Sequence, residues 1–270
     1  RHHDVHLVRQ EQQLGTGHAV QTAQQAIPEG DGVVMILCGD TPLISAESLR
    51  EMYRYHLANR SVLTVMTTIV DDPTGYGRIL SAGDSVLAIV EEKETDELQR
   101  KIQEINAGIY LVERRFLFEA LASLTPDNSQ GEFYLTDIVA YAVSQKLQPF
   151  KYLNPAADEV LGVNSKVELE TAHRVLQQRR NQELMQQGVI IHDRATVTVS
   201  PQAEIGSDTL LLPGVFISGK TIVGSNCILE NGAILHDCTV GDNARIGAYC
   251  VLKNCKIGND DSLPPMTLRG

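Results

Sequence analysis

From Val199 onward the apolar residues of this chain recur every six positions. They fall at Val199, Ile205, Leu211, Ile217, Val223, Leu229, Leu235, Val240, Ile246, Leu252, Ile257 and Leu263, with five-residue steps only before Val240 and before Ile257. A helix repeats about every 3.6 residues and a strand every two, so neither accounts for this period. Period six is the mark of a parallel β-helix in which each hexapeptide makes one side of a triangular coil. Each anchor fills the interior. A small or β-branched residue follows four positions later, at Thr209, Val215, Thr221, Cys227, Ala233, Ala244 and Cys250, and lets the corner close. Twelve anchors give about four coils. Cys227 and Cys250 take the small position, and Cys238 and Cys255 take its counterpart in the two shorter turns. They read as small interior residues rather than metal ligands or a redox pair. Five cysteines with no C-x-x-C pair favour a reducing interior such as the cytoplasm.

Residues 1–164 have another texture. Apolar runs at Val33–Cys38, Ser61–Val70, Val86–Val90 and Gly108–Val112 read as strands. Ala19–Ala26, Ala46–Asn59, Glu113–Leu124 and Thr136–Gln145 read as helices, with Ser45 as the N-cap of the second. Unalternated strands interleaved with helices predict an open, largely parallel sheet covered on both faces. Ligands of such sheets sit beyond the carboxyl ends of the strands, where Asp40 falls. Ser165–Gln187 reads as one long helix, opened by a Ser165/Glu168 capping box and stopped by Gly188. Its apolar positions are sparse, which suits a surface helix or, given the repeat that follows, a connector. The expected organisation is an α/β domain over 1–164, a connector over 165–187 and a β-helix over 188–270.

Charge narrows the function. Lys and Arg number 23 against 34 Asp and Glu, a net charge of −11, so a general binder of nucleic-acid backbones is excluded. Trp is absent and aromatics are only 5%, which disfavours a stacking platform for single strands. No apolar run approaches the ~18 residues of a membrane-spanning helix. The opening RHHDVHLV has neither a Met nor the apolar core of a signal peptide, which predicts that the sequence starts part-way through a longer protein.

Several polar segments carry candidate chemistry. In Gln10-Glu11-Gln12-Gln13-Leu14-Gly15-Thr16-Gly17, glycines permit close backbone approach and Gln amides can read a base edge, although a plain Gly-rich turn fits equally. In Gly39-Asp40-Thr41-Pro42-Leu43, the carboxylate past a buried strand suits a hard cation with phosphate oxygens, or a simple turn aspartate. Further clusters are DDPTGYGRI (71–79), VEEK (90–93), QEINAGIY (103–110), GEFYLTD (131–137) and GVN (162–164).

In that order, and followed by a long helix and hexapeptide repeats, these motifs resemble the bacterial bifunctional enzymes that make UDP-N-acetylglucosamine for peptidoglycan. The resemblance runs through essentially the whole chain. It implies a Rossmann-like uridyltransferase domain joined by a helix to a left-handed β-helix. It makes Gln10, Gln13, Gly15 and Thr16 the uracil-side contacts. Asp40 and Asn164 match the pair that binds Mg²⁺. Gly77, Glu91, Asn106 and Thr136 match the groups that hold the amino sugar, with Glu132 and Tyr134 nearby. The implied substrates are UTP and N-acetylglucosamine-1-phosphate, and the implied assembly is a homotrimer through the β-helix. There is no implied nucleic acid and no membrane insertion. None of the eight histidines is needed; His18, His56, His173, His192 and His236 read as scaffold or surface.

Three departures matter. The family opens on a loop of the form L-A-A-G-x-G-T-R-M, with a Lys further on, that supplies N–H groups and positive charge to the triphosphate. That pattern is nowhere in these residues, which predicts that they are inactive alone as a uridyltransferase and leaves no catalytic residue assigned. The family's acetyl-transfer residues lie in later coils than the four counted here. Cys38 stands where relatives often carry a polar residue. The competing readings are a pyrophosphorylase for glucose-1-phosphate and a non-catalytic nucleotidyltransferase-like assembly subunit.

Overall fold

A computed structural model describes residues 5–270. Two compact units divide the chain, residues 1–163 and 164–270.

The first unit is a six-stranded mixed sheet with helices on both faces. Its strands are β1 (Val33–Ile36), β2 (Leu63–Ile69), β3 (Arg78–Ala82), β4 (Ser85–Val90), β5 (Glu104–Glu113) and β6 (Phe150–Leu153), in spatial order β1-β5-β2-β6-β4-β3. The helices are α1 (Thr16–Thr22), α2 (Ala46–Ala58), α3 (Arg114–Ser123) and α4 (Asp137–Ser144). Phe116, Leu117, Ala120 and Leu121 of α3 and Ile138, Val139 and Ala142 of α4 pack on Val65, Val86, Tyr110 and Val112. Met52 of α2 and Val160 cover Met66, Ile109 and Leu111.

The expectation of a largely parallel sheet is corrected. Only β2 and β6 run parallel; β1–β5, β2–β5, β3–β4, β3–β5 and β4–β6 are antiparallel. Unbroken apolar runs report burial on both faces, which the two helical layers provide, and burial does not set strand direction. Connections do: Gly83 (φ +60) and Asp84 join β3 to β4 in a hairpin too short for any crossover. The run at Val33–Cys38 pairs only through Ile36, because β1 lies at the sheet edge and leaves Leu37 and Cys38 exposed. The first helix begins at Thr16 rather than Ala19 and tightens to a 3₁₀ turn over Ala23–Ala26.

Ser45 caps α2 by accepting the Ser48 N–H at 3.1 Å. Glu159, itself buried, accepts from Ser48 Oγ at 2.5 Å and Asn154 Nδ2 at 3.4 Å. The stretch before Val163 is thereby tied to the start of α2.

In the second unit, α5 (Lys166–Gln186) opens with the Ser165/Glu168 capping box and ends before Gly188 at φ +95. The solenoid that follows has three parallel faces of two- and three-residue strands, five on each of two faces and four on the third. Anchors stack in register: Leu211–Leu229–Ile246–Leu263, Val199–Ile217–Leu235–Leu252 and Ile205–Val223–Val240–Ile257. All are buried except Ile205, which is partly covered. The five-residue steps lie one above the other, so the shorter coils keep register. Corners need left-handed backbone, and Asp208, Asn226, Asn243 and Asp260 supply it in one column at φ near +60. Tyr249 and Met266 continue a column begun by Gly214 and Gly232.

Carbonyls of each coil accept from the preceding coil along the stack; Val215 C=O takes the Thr198 N–H and Thr221 C=O takes the Glu204 N–H. The equivalent carbonyls of the first coil, Val197 and Ala203, have no preceding coil. Polar side chains of α5 serve them instead. Gln177 Nε2 and Asn181 Nδ2 each donate to Val197 C=O at 2.7 Å, and Arg180 Nη2 donates to Ala203 C=O at 2.7 Å. Asn181 is fully buried in doing so. No helix among the described residues is long and apolar enough to cross a membrane.

Candidate active site

A bulge in β5 organises the site. Val65 pairs with Tyr110 and Thr67 with Asn106, so Ala107–Ile109 lie opposite the single residue Met66. Gly108 has φ +71 there, and its N–H turns back to Asn106 Oδ1 at 3.0 Å. A Cβ on Gly108 would stand 2.7 Å from Cys38 Sγ, and that thiol donates to Gly108 C=O at 3.3 Å. The loop carrying Asp40 is thereby fastened to the bulge. Cys38 as a residue is exposed, but its sulfur lies against Gly108, and this local desolvation, with the Asp40 charge second, pushes the thiol pKa up.

Gly77, Glu91 and Thr136 meet the same strand. Asn106 N–H donates to Gly77 C=O at 2.8 Å. A Cβ on Gly77 would lie 3.6 Å from both Glu91 Oε2 and Asn106 Cβ, so the glycine holds open the space between those side chains. Thr136 Oγ1 donates to Glu91 Oε1 at 2.9 Å. Burial raises the Glu91 carboxyl above its ordinary range, the Thr136 bond opposes that, and the nearby Asp137 charge adds to it. Burial raises Asp137 as well.

Arg78 sets the loop that ends in Gly77. It is 1% exposed, pairs with Glu92 Oε2 at 2.7 Å and donates to Tyr76 C=O. Glu92 Oε2 also accepts the Gly75 N–H at 3.2 Å. This anchor and Tyr110 were not singled out in the sequence, and Cys38 was noted there only as a departure from relatives, not as a latch. The alternation along β5 does put Tyr110 on the face of Asn106.

One segment, 132–136, joins this cluster to the Gly15 loop. Gly15 lies at φ +109, and a Cβ there would be 2.6 Å from Phe133 C=O. Gly17 N–H donates to that carbonyl at 2.8 Å, Phe133 N–H donates to Leu14 C=O at 2.8 Å, and Leu135 N–H donates to Thr16 Oγ1 at 3.0 Å. Gln10 Nε2 spans back to Gly15 C=O at 3.2 Å and contacts His18 Nδ1 at 2.9 Å. Gln13 is exposed on the same loop. Tyr134 is buried, with its hydroxyl 2.6 Å from Gln130 Nε2, and Glu132 is half-buried. Asp40 is exposed, and its carbonyl accepts the N–H of Val163, the residue before Asn164, at 2.8 Å. Asn164 itself is exposed at the start of the second unit. His56 is buried against Thr64 Oγ1, away from this cluster.

A family model described as nucleotidyl transferase matches residues 3–158, more than half of the chain, so the chain is a nucleotidyl transferase by family. Relatives extend the likeness into the repeats. A bifunctional protein GlmU of Desulfotalea psychrophila is 50% identical over 96% of this chain and 76% of its own length. Those of Geotalea daltonii and Syntrophotalea carbinolica are 45% and 41% identical over 88% and 94% of this chain. The chain belongs to the family of these bifunctional GlmU proteins. It spans 52% and 54% of the latter two, so it covers about half the length of most of the relatives named here.

Proposed function

We propose that this protein transfers a uridylyl group from UTP to N-acetylglucosamine-1-phosphate, forming UDP-N-acetylglucosamine. A phosphate oxygen of the sugar phosphate bonds to the α-phosphorus of UTP as the bond to the departing pyrophosphate breaks. The nucleophile is already anionic at neutral pH, so the protein's share is positioning and charge neutralisation. The observation that carries this reading is the meeting of Gly77, Glu91, Asn106 and Thr136 in one cluster, joined through 132–136 to the Gly15–Thr16 loop.

In this reading Gln10, Gln13, Gly15 and Thr16 hold the uracil side. Gly77, Glu91, Asn106 and Thr136 hold the amino sugar, with Glu132 and Tyr134 nearby. Glu91 accepts from a sugar hydroxyl through Oε2, the oxygen Thr136 does not use. Among the described residues no side chain hydrogen-bonds or ion-pairs with the Asp40 carboxylate. By the family resemblance Asp40 and Asn164 would be the protein's Mg²⁺ ligands; a carboxylate and an amide oxygen are hard donors of the kind that cation takes together with phosphate oxygens. When bound, the cation neutralises phosphate charge. We place the protein in the cytoplasm as a homotrimer through its β-helix.

The test uses the protein with all flanking sequence its gene encodes. Product formation is measured with N-acetylglucosamine-1-phosphate and with glucose-1-phosphate, at varied Mg²⁺. The expected result is Mg²⁺-dependent turnover with a clear preference for the N-acetylated sugar. Equal turnover of both, or of neither, would refute it. Residues 1–270 alone, which contain no Gly-rich Arg/Lys loop, are expected to give no product.

A further inference from the structure

The amide of Asn106 is held in one of its two orientations. Gly108 N–H can only donate, so the atom it meets at 3.0 Å must be Oδ1. Nδ2 is then directed to the hydroxyl of Tyr110, at 2.7 Å. The two surplus residues of the bulge leave the alternation of β5 unchanged, so Asn106 and Tyr110 stay on one face. Tyr110 is 2% exposed, with its ring packed among Val65, Val112, Leu135 and Ile138. Its hydroxyl is therefore a fixed acceptor, placed by the core.

We infer that Tyr110 is a positioning residue for the sugar site: it fixes the Asn106 amide so that one Nδ2 hydrogen and one Oδ1 lone pair face the amino sugar in a set order. This rests on the reading that Asn106 contacts that sugar. An acetamido group carries one donor and one acceptor; without the hydroxyl the Gly108 N–H alone holds the amide through Oδ1, Nδ2 loses its partner, and the amide plane can swing away from the orientation that meets both. Tyr110 itself does not touch the substrate. Its influence passes through Asn106.

The decisive variant is Tyr110→Phe, which keeps the packed ring and removes only the hydroxyl. In the full-length protein, KM is measured for each substrate, together with the thermal midpoint. The KM for N-acetylglucosamine-1-phosphate is expected to rise about five- to tenfold, the scale of one hydrogen bond. The KM for UTP and the melting temperature are expected to stay unchanged. In an Asn106→Ala background the same substitution should add nothing further. An unchanged sugar-phosphate KM in Tyr110→Phe, the same factor reappearing in Asn106→Ala, or an equal rise in both KM values with a lower melting temperature would each overturn the inference. If Asn106→Ala alone leaves the sugar-phosphate KM unchanged, the site reading falls, and this inference with it.

Discussion

Replacing Glu91 with Gln separates binding from stability in one side chain. Gln is the same size and can still accept the Thr136 hydroxyl through Oε1. It places an amide NH₂ where Oε2 stood, so a donor confronts the sugar hydroxyl that formerly donated. One charge-assisted hydrogen bond is lost, about 1.5–3 kcal/mol. At 1.4 kcal/mol per tenfold, that is roughly a 10- to 150-fold rise in KM for the sugar phosphate. Stability should move the other way. Burial raises the Glu91 pKa in the folded protein, so the ionised carboxylate opposes folding. Below the ordinary carboxylate pKa both states are protonated and the opposition vanishes. It grows as pH rises through the interval between the ordinary and raised values, and is complete above it. Glu91→Gln should therefore melt higher than the parent at neutral pH and equal to it in acid. Steady-state kinetics with each substrate varied, and thermal melts across pH, measure both. A sugar-phosphate KM within twofold of the parent, or a lower melt at neutral pH, would refute the reasoning.

Three other outcomes follow from the geometry. Asp40→Asn should raise the Mg²⁺ concentration for half-maximal activity by about 10-fold or more, read from a metal titration, because the charged donor is lost. Asn181→Ala should lower stability by about 2 kcal/mol, seen in denaturant unfolding, because Val197 and Arg194 carbonyls lose a donor. Met266→Gly, at an exposed corner with φ +61, should raise stability by about 1 kcal/mol in the same assay.

The solenoid was legible because its signal is redundant. Any one apolar residue is ambiguous, but twelve in register leave one geometry, and their burial follows from it. The mixed sheet was less so. Val33–Ile36 and Leu63–Ile69 announce burial, but their directions depend on which strand lies beside which, and no local pattern encodes that. The Gly83-Asp84 turn did carry the β3–β4 pairing, in two residues easily passed over. In the candidate site, Gly77, Glu91, Asn106 and Thr136 were singled out by resemblance to ordered motifs, and the structure brings them together. Tyr110 and Arg78 were not, because their value lies in what they hold, and a partner 14 residues along the chain, as Glu92 is to Arg78, leaves no mark in spacing. The polar face of α5 looked like solvent exposure for a similar reason: Gln177, Arg180 and Asn181 answer carbonyls that only appear once the coil has formed.

Those three side chains also decide where the stack can change length. A column of parallel rungs with bare carbonyls invites a further rung, from its own chain or another. Here that end is plugged, and an added coil would have to displace the helix and leave its three donors without acceptors. Growth or loss of whole turns during descent is therefore confined to the opposite end, and relatives of unequal size should align rung for rung when counted from the helix.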